Sequence, residues 1–103
     1  ADMATRVDAA RLLVCRAASN AGQGAAAMTE ASMAKLFANE TAKQVTDQAM
    51  EILGGVGYSA EYPIERMLRD SRGWPIAGGT LQIQRLTIAS AVFGRRFDQR
   101  VGG

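Results

Sequence analysis

Three glycine-marked stretches hold the residues of this chain best suited to chemistry. Gly54-Gly55-Val56-Gly57-Tyr58 is followed at once by Glu61-Tyr62-Pro63-Ile64-Glu65-Arg66-Met67-Leu68-Arg69-Asp70, and then by Gly78-Gly79-Thr80-Leu81-Gln82-Ile83-Gln84-Arg85. Each stretch reads as a helix end whose backbone can be approached closely, because glycine has no side chain. Helix ends carry unpaired backbone groups, and helix starts in particular attract phosphates and polarised oxygens. One such pair alone is an ordinary cap or turn. Three within about thirty residues point to the binding of an anionic or carbonyl-bearing ligand. Other chemistries have less support. The chain has no histidine, which removes the usual metal sites and nucleophilic triads, and no metal is expected. Cys15 is the single cysteine, so no internal disulfide can form. It reads as a small buried hydrophobe with nothing to activate a thiolate.

The elements that must position these stretches are helices. Met3, Val7, Ala10, Leu13, Val14 and Ala17 recur at three- and four-residue spacing, which predicts helix one over Asp2–Ala21. Asn20-Ala21-Gly22-Gln23-Gly24 is a turn. Helix two is expected from Thr29, as N-cap, to about Leu53, roughly 37 Å at 1.5 Å per residue. Its apolar face is Met33, Leu36, Phe37, Val45, Ala49, Ile52 and Leu53. Helix three is short, from Pro63 to about Ser71, with proline in the first helical position. Helix four starts behind Gly78-Gly79 with Thr80 as N-cap, and Leu81, Ile83, Leu86, Ile88, Ala89, Val92 and Phe93 form a broad apolar face. Gly94 and the closing Val101-Gly102-Gly103 read as fraying or tail. Short loops favour antiparallel neighbours. The expected fold is all-α, an up-and-down helical bundle in which helix four crosses the bundle end, with residues 1–103 as one domain.

Composition agrees. Of 103 residues, 48% are hydrophobic and only 6% aromatic, as in packed helices. A domain of this size leaves much apolar surface exposed, so a parent protein or oligomer would help it. The net charge of +2 comes without a basic stripe interleaved with aromatics, so nucleic-acid binding has little support. Arg95, Arg96 and Arg100 suit a solvated helix end. No apolar run reaches the length of a membrane span, and no signal peptide is visible. The chain opens already in helical pattern, which suggests a piece of something longer.

Read in order, these motifs resemble the C-terminal helical domain of the acyl-CoA dehydrogenase family. Met3 to Leu13 looks like an internal helix of that domain and Thr29 to Leu36 like the start of the next. The spacing from the glycine turn through Glu65-Arg66-Met67-Leu68-Arg69-Asp70 to Gly79-Thr80-Leu81-Gln82-Ile83-Gln84-Arg85 is specific. The resemblance implies a flavoprotein that dehydrogenates acyl-CoA thioesters at the α and β carbons, with a carboxylate taking the α-proton. It implies N-terminal and middle domains beyond this chain and a missing first helix of the bundle. It also implies assembly into homo- or hetero-oligomers through the helical domain, with FAD at a subunit interface. Glu51, Ile52, Leu53, Gly54 and Gly55 match a stretch that touches the FAD of a neighbouring subunit. Thr80, Leu81 and Gln82 match one that contacts FAD from the start of helix four, and Gly78 and Gly79 match positions at the thioester site.

The match fails at three places. The familiar catalytic glutamate position, directly before Gly79-Thr80, is Gly78, and its neighbour, often aromatic in the family, is Ala77. Glycine cannot accept a proton, although its N–H could still polarise a thioester carbonyl. Either the base sits on the bundle's first helix, upstream of Ala1, or the parent is a non-catalytic partner or runs other flavin chemistry. Glu51 stands where glutamine is usual, with Gln48 one turn back, and a carboxylate there would repel a diphosphate. Ser90 replaces a common arginine. Glu61, Glu65 and Asp70 read as members of surface ion pairs. The expected function is therefore the FAD-contacting and oligomerisation domain of an acyl-CoA dehydrogenase, inactive as an isolated chain. The alternative is a subunit-contact module of a partner lacking the base. Small residues at 77 and 78 leave room for a bulky acyl chain. The expected location is the cytoplasm, with no membrane partner.

Overall fold

The computed structural model describes residues 1–97, in which four α-helices and one short 3-10 turn occur and no strand. Helix α1 spans Asp2–Ser19, α2 Ala25–Leu53, α3 Ile64–Gly73 and α4 Leu81–Phe93. Arg100 and Val101-Gly102-Gly103 lie outside the described residues. Helix α2 is the axis of the fold: α1, α3 and α4 each pack against it and, among the described residues, not against one another. Its small residues let neighbours approach, and Ser32, Ala34 and Thr41 are buried.

Polar contacts set the direction of each neighbour. The Asn20 amide donates to Glu30 at 2.8 Å and the Arg16 guanidinium lies 3.7 Å from the same carboxylate, while Arg6 pairs with Gln44. Helix α1 therefore runs antiparallel along most of α2. The Thr46 and Ser71 hydroxyls meet at 3.2 Å, and Arg85 pairs with Glu40. Helices α3 and α4 thus follow one another back along a second side, α3 on the C-terminal half of α2 and α4 on its N-terminal half. Helix four lies along the bundle and does not cross its end. The extents of 50 × 33 × 20 Å suit a layer about three helices wide, given about 10–12 Å per helix.

Such a layer has a thin core. Among the described residues the buried apolar side chains are those of Ala10, Ala34, Ile64, Pro75 and Leu81, and no large side chain is fully enclosed. Leu12, Ile52, Val92 and Phe93 are each about two-thirds exposed or more. Val7 and Val14 on the expected face of α1, and Ile83 on that of α4, are exposed too. Two of these five are alanines, so packing within this chain uses only part of each apolar face.

Several boundaries differ from the sequence reading. Helix α1 ends at Ser19, where the Asn20 N–H bonds the Arg16 carbonyl at 3.1 Å. Helix α2 begins four residues before the expected cap, after Gly24 at φ 93°. Ala25-Ala26-Ala27-Met28 are strong helix formers that extend it, so Thr29 is an interior residue whose hydroxyl donates to the Ala25 carbonyl. The 29 residues span about 43 Å. Pro63 is the N-cap of α3 rather than its first residue, and α3 continues to Gly73. Thr80 does cap α4, accepting from the Ile83 N–H at 3.3 Å, and Gly94 at φ 66° ends it. Cys15 is exposed, not buried. Helix α1 meets α2 through the Ala10, Leu13 and Ala17 stripe, and residue 15 falls outside it.

Gly57 is one position where crowding decides. Its φ of −65° suits any residue, but a Cβ there would lie 3.0 Å from Leu53 Cβ and 3.1 Å from the Met50 carbonyl oxygen. These atoms belong to the last turns of α2 and have little room to move. Gly57→Ala is expected to destabilise by about 1–3 kcal/mol, read as a lowered thermal midpoint of the full-length protein. An unchanged midpoint would mean that the turn yields.

Candidate functional site

The chain reverses into α4 through a loop that begins with a helical turn. The Ile76 and Ala77 N–H groups both bond the Gly73 carbonyl, at 3.1 and 3.2 Å. Gly78 and Gly79 then take φ of 67° and 98°, a region that side-chain-bearing residues occupy at a cost. Beneath them lies Lys35 of α2. Its Nζ donates to the Gly79 carbonyl at 2.6 Å and to the Ala77 carbonyl. A Cβ on Gly78 would sit 3.4 Å from that nitrogen. Thr80 satisfies the Ile83 N–H, which leaves the N–H groups of Leu81 and Gln82 as the free donors of the first turn.

Beside this helix start runs a groove of about 330 Å³, lined by Thr80, Leu81 and Gln82 with Glu40, Lys43, Arg72 and Arg85. Glu40 pairs with Arg85, so Lys43 and Arg72 leave the groove positive. Cationic side chains together with free amides and the positive end of α4 suit a phosphate or a polarised oxygen. The sequence reading named Thr80, Leu81 and Gln82 but missed Lys35, Lys43 and Arg72. For Lys35 a signal existed: a single cation inside the apolar run Met33-Ala34-Lys35-Leu36-Phe37.

The other predicted stretch has a different character. Gly54 ends α2 at φ 68°, and its N–H bonds back to the last helical carbonyls. The Gly57 and Tyr58 N–H groups bond the Gly54 and Gly55 carbonyls at 3.0 and 3.2 Å. This is the negative end of a helix with those amides already used, so it does not cradle a phosphate. It offers instead exposed Ile52, Leu53 and Val56 beside glycines at which a Cβ would meet nothing. That surface suits a flat apolar ring. Glu51 is exposed and lines a groove with Ala1, Asp2, Met3, Gln48 and Ile52.

The structure does not bring the two stretches together. Sixteen helical residues separate Lys35 from Glu51, about 24 Å of rise. The two stretches line different grooves, Thr80, Leu81 and Gln82 one and Glu51 and Ile52 another. A further groove, about 650 Å³, lies elsewhere, where Met28, Leu86 and Phe97 line it between the start of α2 and the end of α4. It contains none of the predicted site residues.

The remaining polar residues are structural. Glu65 and Arg69 pair at 2.7 Å and Arg66 lies 4.0 Å from Asp70, both on the exposed surface; Glu61 makes no ion pair among the described residues. Ser90 donates to the Leu86 carbonyl at 2.8 Å and accepts from the Phe97 N–H at 3.1 Å. The hydroxyl thus fastens the segment that follows α4. No cluster of metal-ligating side chains occurs among the described residues. No helix of theirs is long and apolar enough to cross a membrane.

The family model described as acyl-CoA dehydrogenase, C-terminal domain, matches residues 1–93. A 3-sulfinopropanoyl-CoA desulfinase of Paraburkholderia xenovorans is 44% identical over 97% of the chain, which covers 26% of that protein. A cyclohexane-1-carbonyl-CoA dehydrogenase of Geobacter metallireducens is 48% identical over 89% of the chain and 24% of its own length. The structure of butyryl-CoA dehydrogenase from Megasphaera elsdenii superposes with a TM-score of 0.85 at 38% identity, over 89% of this chain and 24% of that one. The chain spans about a quarter of the length of the relatives it matches.

Proposed function

The chain belongs to the acyl-CoA dehydrogenase family as a C-terminal helical domain, and we propose that it is one wall of a flavin-dependent site for acyl-CoA thioesters. The observation that carries this reading is the Lys35-held Gly78-Gly79-Thr80 loop at the start of α4. In this reading the Gly78 N–H donates to the thioester carbonyl oxygen, which favours negative charge there as the α-carbon reacts. The residues fit FAD in two separate places. Thr80, Leu81 and Gln82, with Lys43 and Arg72, suit its anionic and carbonyl oxygens. Glu51, Ile52, Leu53, Gly54 and Gly55 suit a ring face, with Glu51 directed away from any diphosphate. The two stretches line different grooves, and in this reading they serve two FAD molecules, the second belonging to a neighbouring subunit. When bound, FAD supplies the hydride acceptor.

Residues 1–103 act as one domain of a larger protein that associates through these helices. The exposed faces of α1 and α4 are the surfaces that its other domains and partner subunits would cover. The isolated chain is inactive because it carries neither a base at position 78 nor the remaining walls of the site. Exposed, unpaired Cys15 agrees with a reducing cytoplasm. Purification of the full-length protein with bound FAD, and bleaching of the flavin by an acyl-CoA, is the expected result. A flavin-free protein indifferent to acyl-CoA would refute the reading.

A second reading is favoured by Gly78 together with the likeness to desulfinases. A sulfinate substituent on the acyl chain would be removed by hydrolysis of its C–S bond, R–SO₂⁻ + H₂O giving R–H and HSO₃⁻, with no external oxidant. Product analysis separates the two: a 2-enoyl-CoA supports dehydrogenation, and a saturated acyl-CoA with sulfite supports desulfination.

A further inference from the structure

We propose that Lys35 is the positioning residue of the thioester site: by holding two loop carbonyls it aims the N–H groups of Gly78 and Thr80 outward, toward the ligand. The inference rests on the functional reading above. Each trans peptide is planar, with its C=O and N–H pointing in opposite directions. The Ala77 carbonyl and the Gly78 N–H belong to one unit; the Gly79 carbonyl and the Thr80 N–H belong to another. Lys35 Nζ binds both carbonyls, at 2.6 Å for Gly79. Both N–H groups are therefore turned away from α2. Among the described residues neither donates a hydrogen bond, so both are available.

Two further observations give the clamp its purpose. Gly78 and Gly79 both have positive φ, and glycine peptides rotate with little steric penalty. Without a restraint this loop could flip either amide. An ammonium suits the task, since it carries three donors and no acceptor, and one group can hold two carbonyls at once. Lys35 itself is seated inside the N-terminal half of α2, the helix against which, among the described residues, α1, α3 and α4 pack. The loop is thereby referenced to the most constrained element of the fold. Lys35 touches no reacting atom in this arrangement. Its effect on the substrate passes entirely through the backbone it holds.

The test compares two ligands of the FAD-loaded full-length protein: an acyl-CoA thioester and the matching alkyl-CoA thioether, which lacks the carbonyl. Their affinities are read from perturbation of the flavin spectrum. The parent is expected to prefer the thioester. Lys35→Met is expected to lose about fivefold of that preference, the scale of one hydrogen bond, while thioether affinity and FAD content stay near the parent's. Lys35→Arg, which keeps several donors, is expected to restore part of it, and Lys35→Gln provides a second probe should the methionine variant not fold. Equal weakening of both ligands would make Lys35 merely structural and overturn the inference. An undiminished preference in Lys35→Met and Lys35→Gln would overturn it too, while leaving the functional reading intact. A parent that does not distinguish thioester from thioether would overturn both.

Discussion

Leu81→Ala is expected to loosen the start of α4 and destabilise the protein by about 2–4 kcal/mol, the usual cost of truncating a buried leucine. Leu81 is buried, at 4% exposure. It is also the first residue of α4, directly after the Thr80 cap. A core with so few enclosed side chains has little with which to refill the space. Because Leu81 adjoins Gln82 and the cationic groove, the same truncation is expected to release FAD at a lower temperature. The measurement is the temperature at which flavin fluorescence rises on heating the full-length protein, with Val92→Ala as the comparison. Val92 is 69% exposed, and its truncation is expected to change stability by less unless another domain covers it. An unchanged release temperature in Leu81→Ala would mean that the groove is not a flavin contact or that α4 is held by other residues.

The sequence made the helices legible because their signals are local. The Thr80 cap and the Gly54 stop act within a turn or two, and each holds in the structure; Gly94, read as fraying or tail, instead ends α4. Boundaries failed where two local signals competed. Thr29 resembled a cap, but the alanines before it favour helix more strongly than threonine favours a start. Cys15 failed for another reason: whether a helix face is covered depends on partners, and α1 has only α2 in this chain. The glycine loop was legible as a place of close approach, but Lys35 was not. Forty-four residues separate it from Gly79, so the lone cation in an apolar run marks the residue but not the loop it holds. The distance between the two predicted ligand-facing stretches was likewise invisible until α2 stood between them. What had looked like three ends of one kind became a helix start that presents amides, a helix end that presents apolar surface, and the start of α3, where buried Ile64 offers no open face.

Gly78→Glu in the full-length protein is expected to lower acyl-CoA turnover by on the order of a hundredfold, the scale of losing one donor to a developing oxyanion. At φ 67° a glutamate would start from a conformation that costs about 1–2 kcal/mol. Its Cβ would stand 3.4 Å from Lys35 Nζ, and its carboxylate could draw that ammonium from the Ala77 and Gly79 carbonyls. The peptide that aims the Gly78 N–H would then lose its restraint, and a negative charge would lie where negative charge must develop. Gly78→Ala separates the two effects, since it carries the backbone penalty without the carboxylate; it is expected to fall between the parent and the glutamate variant. The opposite result is equally informative. A parent without dehydrogenase activity that gains it on Gly78→Glu would show that no base exists elsewhere in the subunit. The chain would then belong to a non-catalytic partner, whose oxyanion-holding loop survives without a proton acceptor. The expected loss instead follows from a base contributed by another segment of the parent, acting on a substrate that this loop holds by its carbonyl.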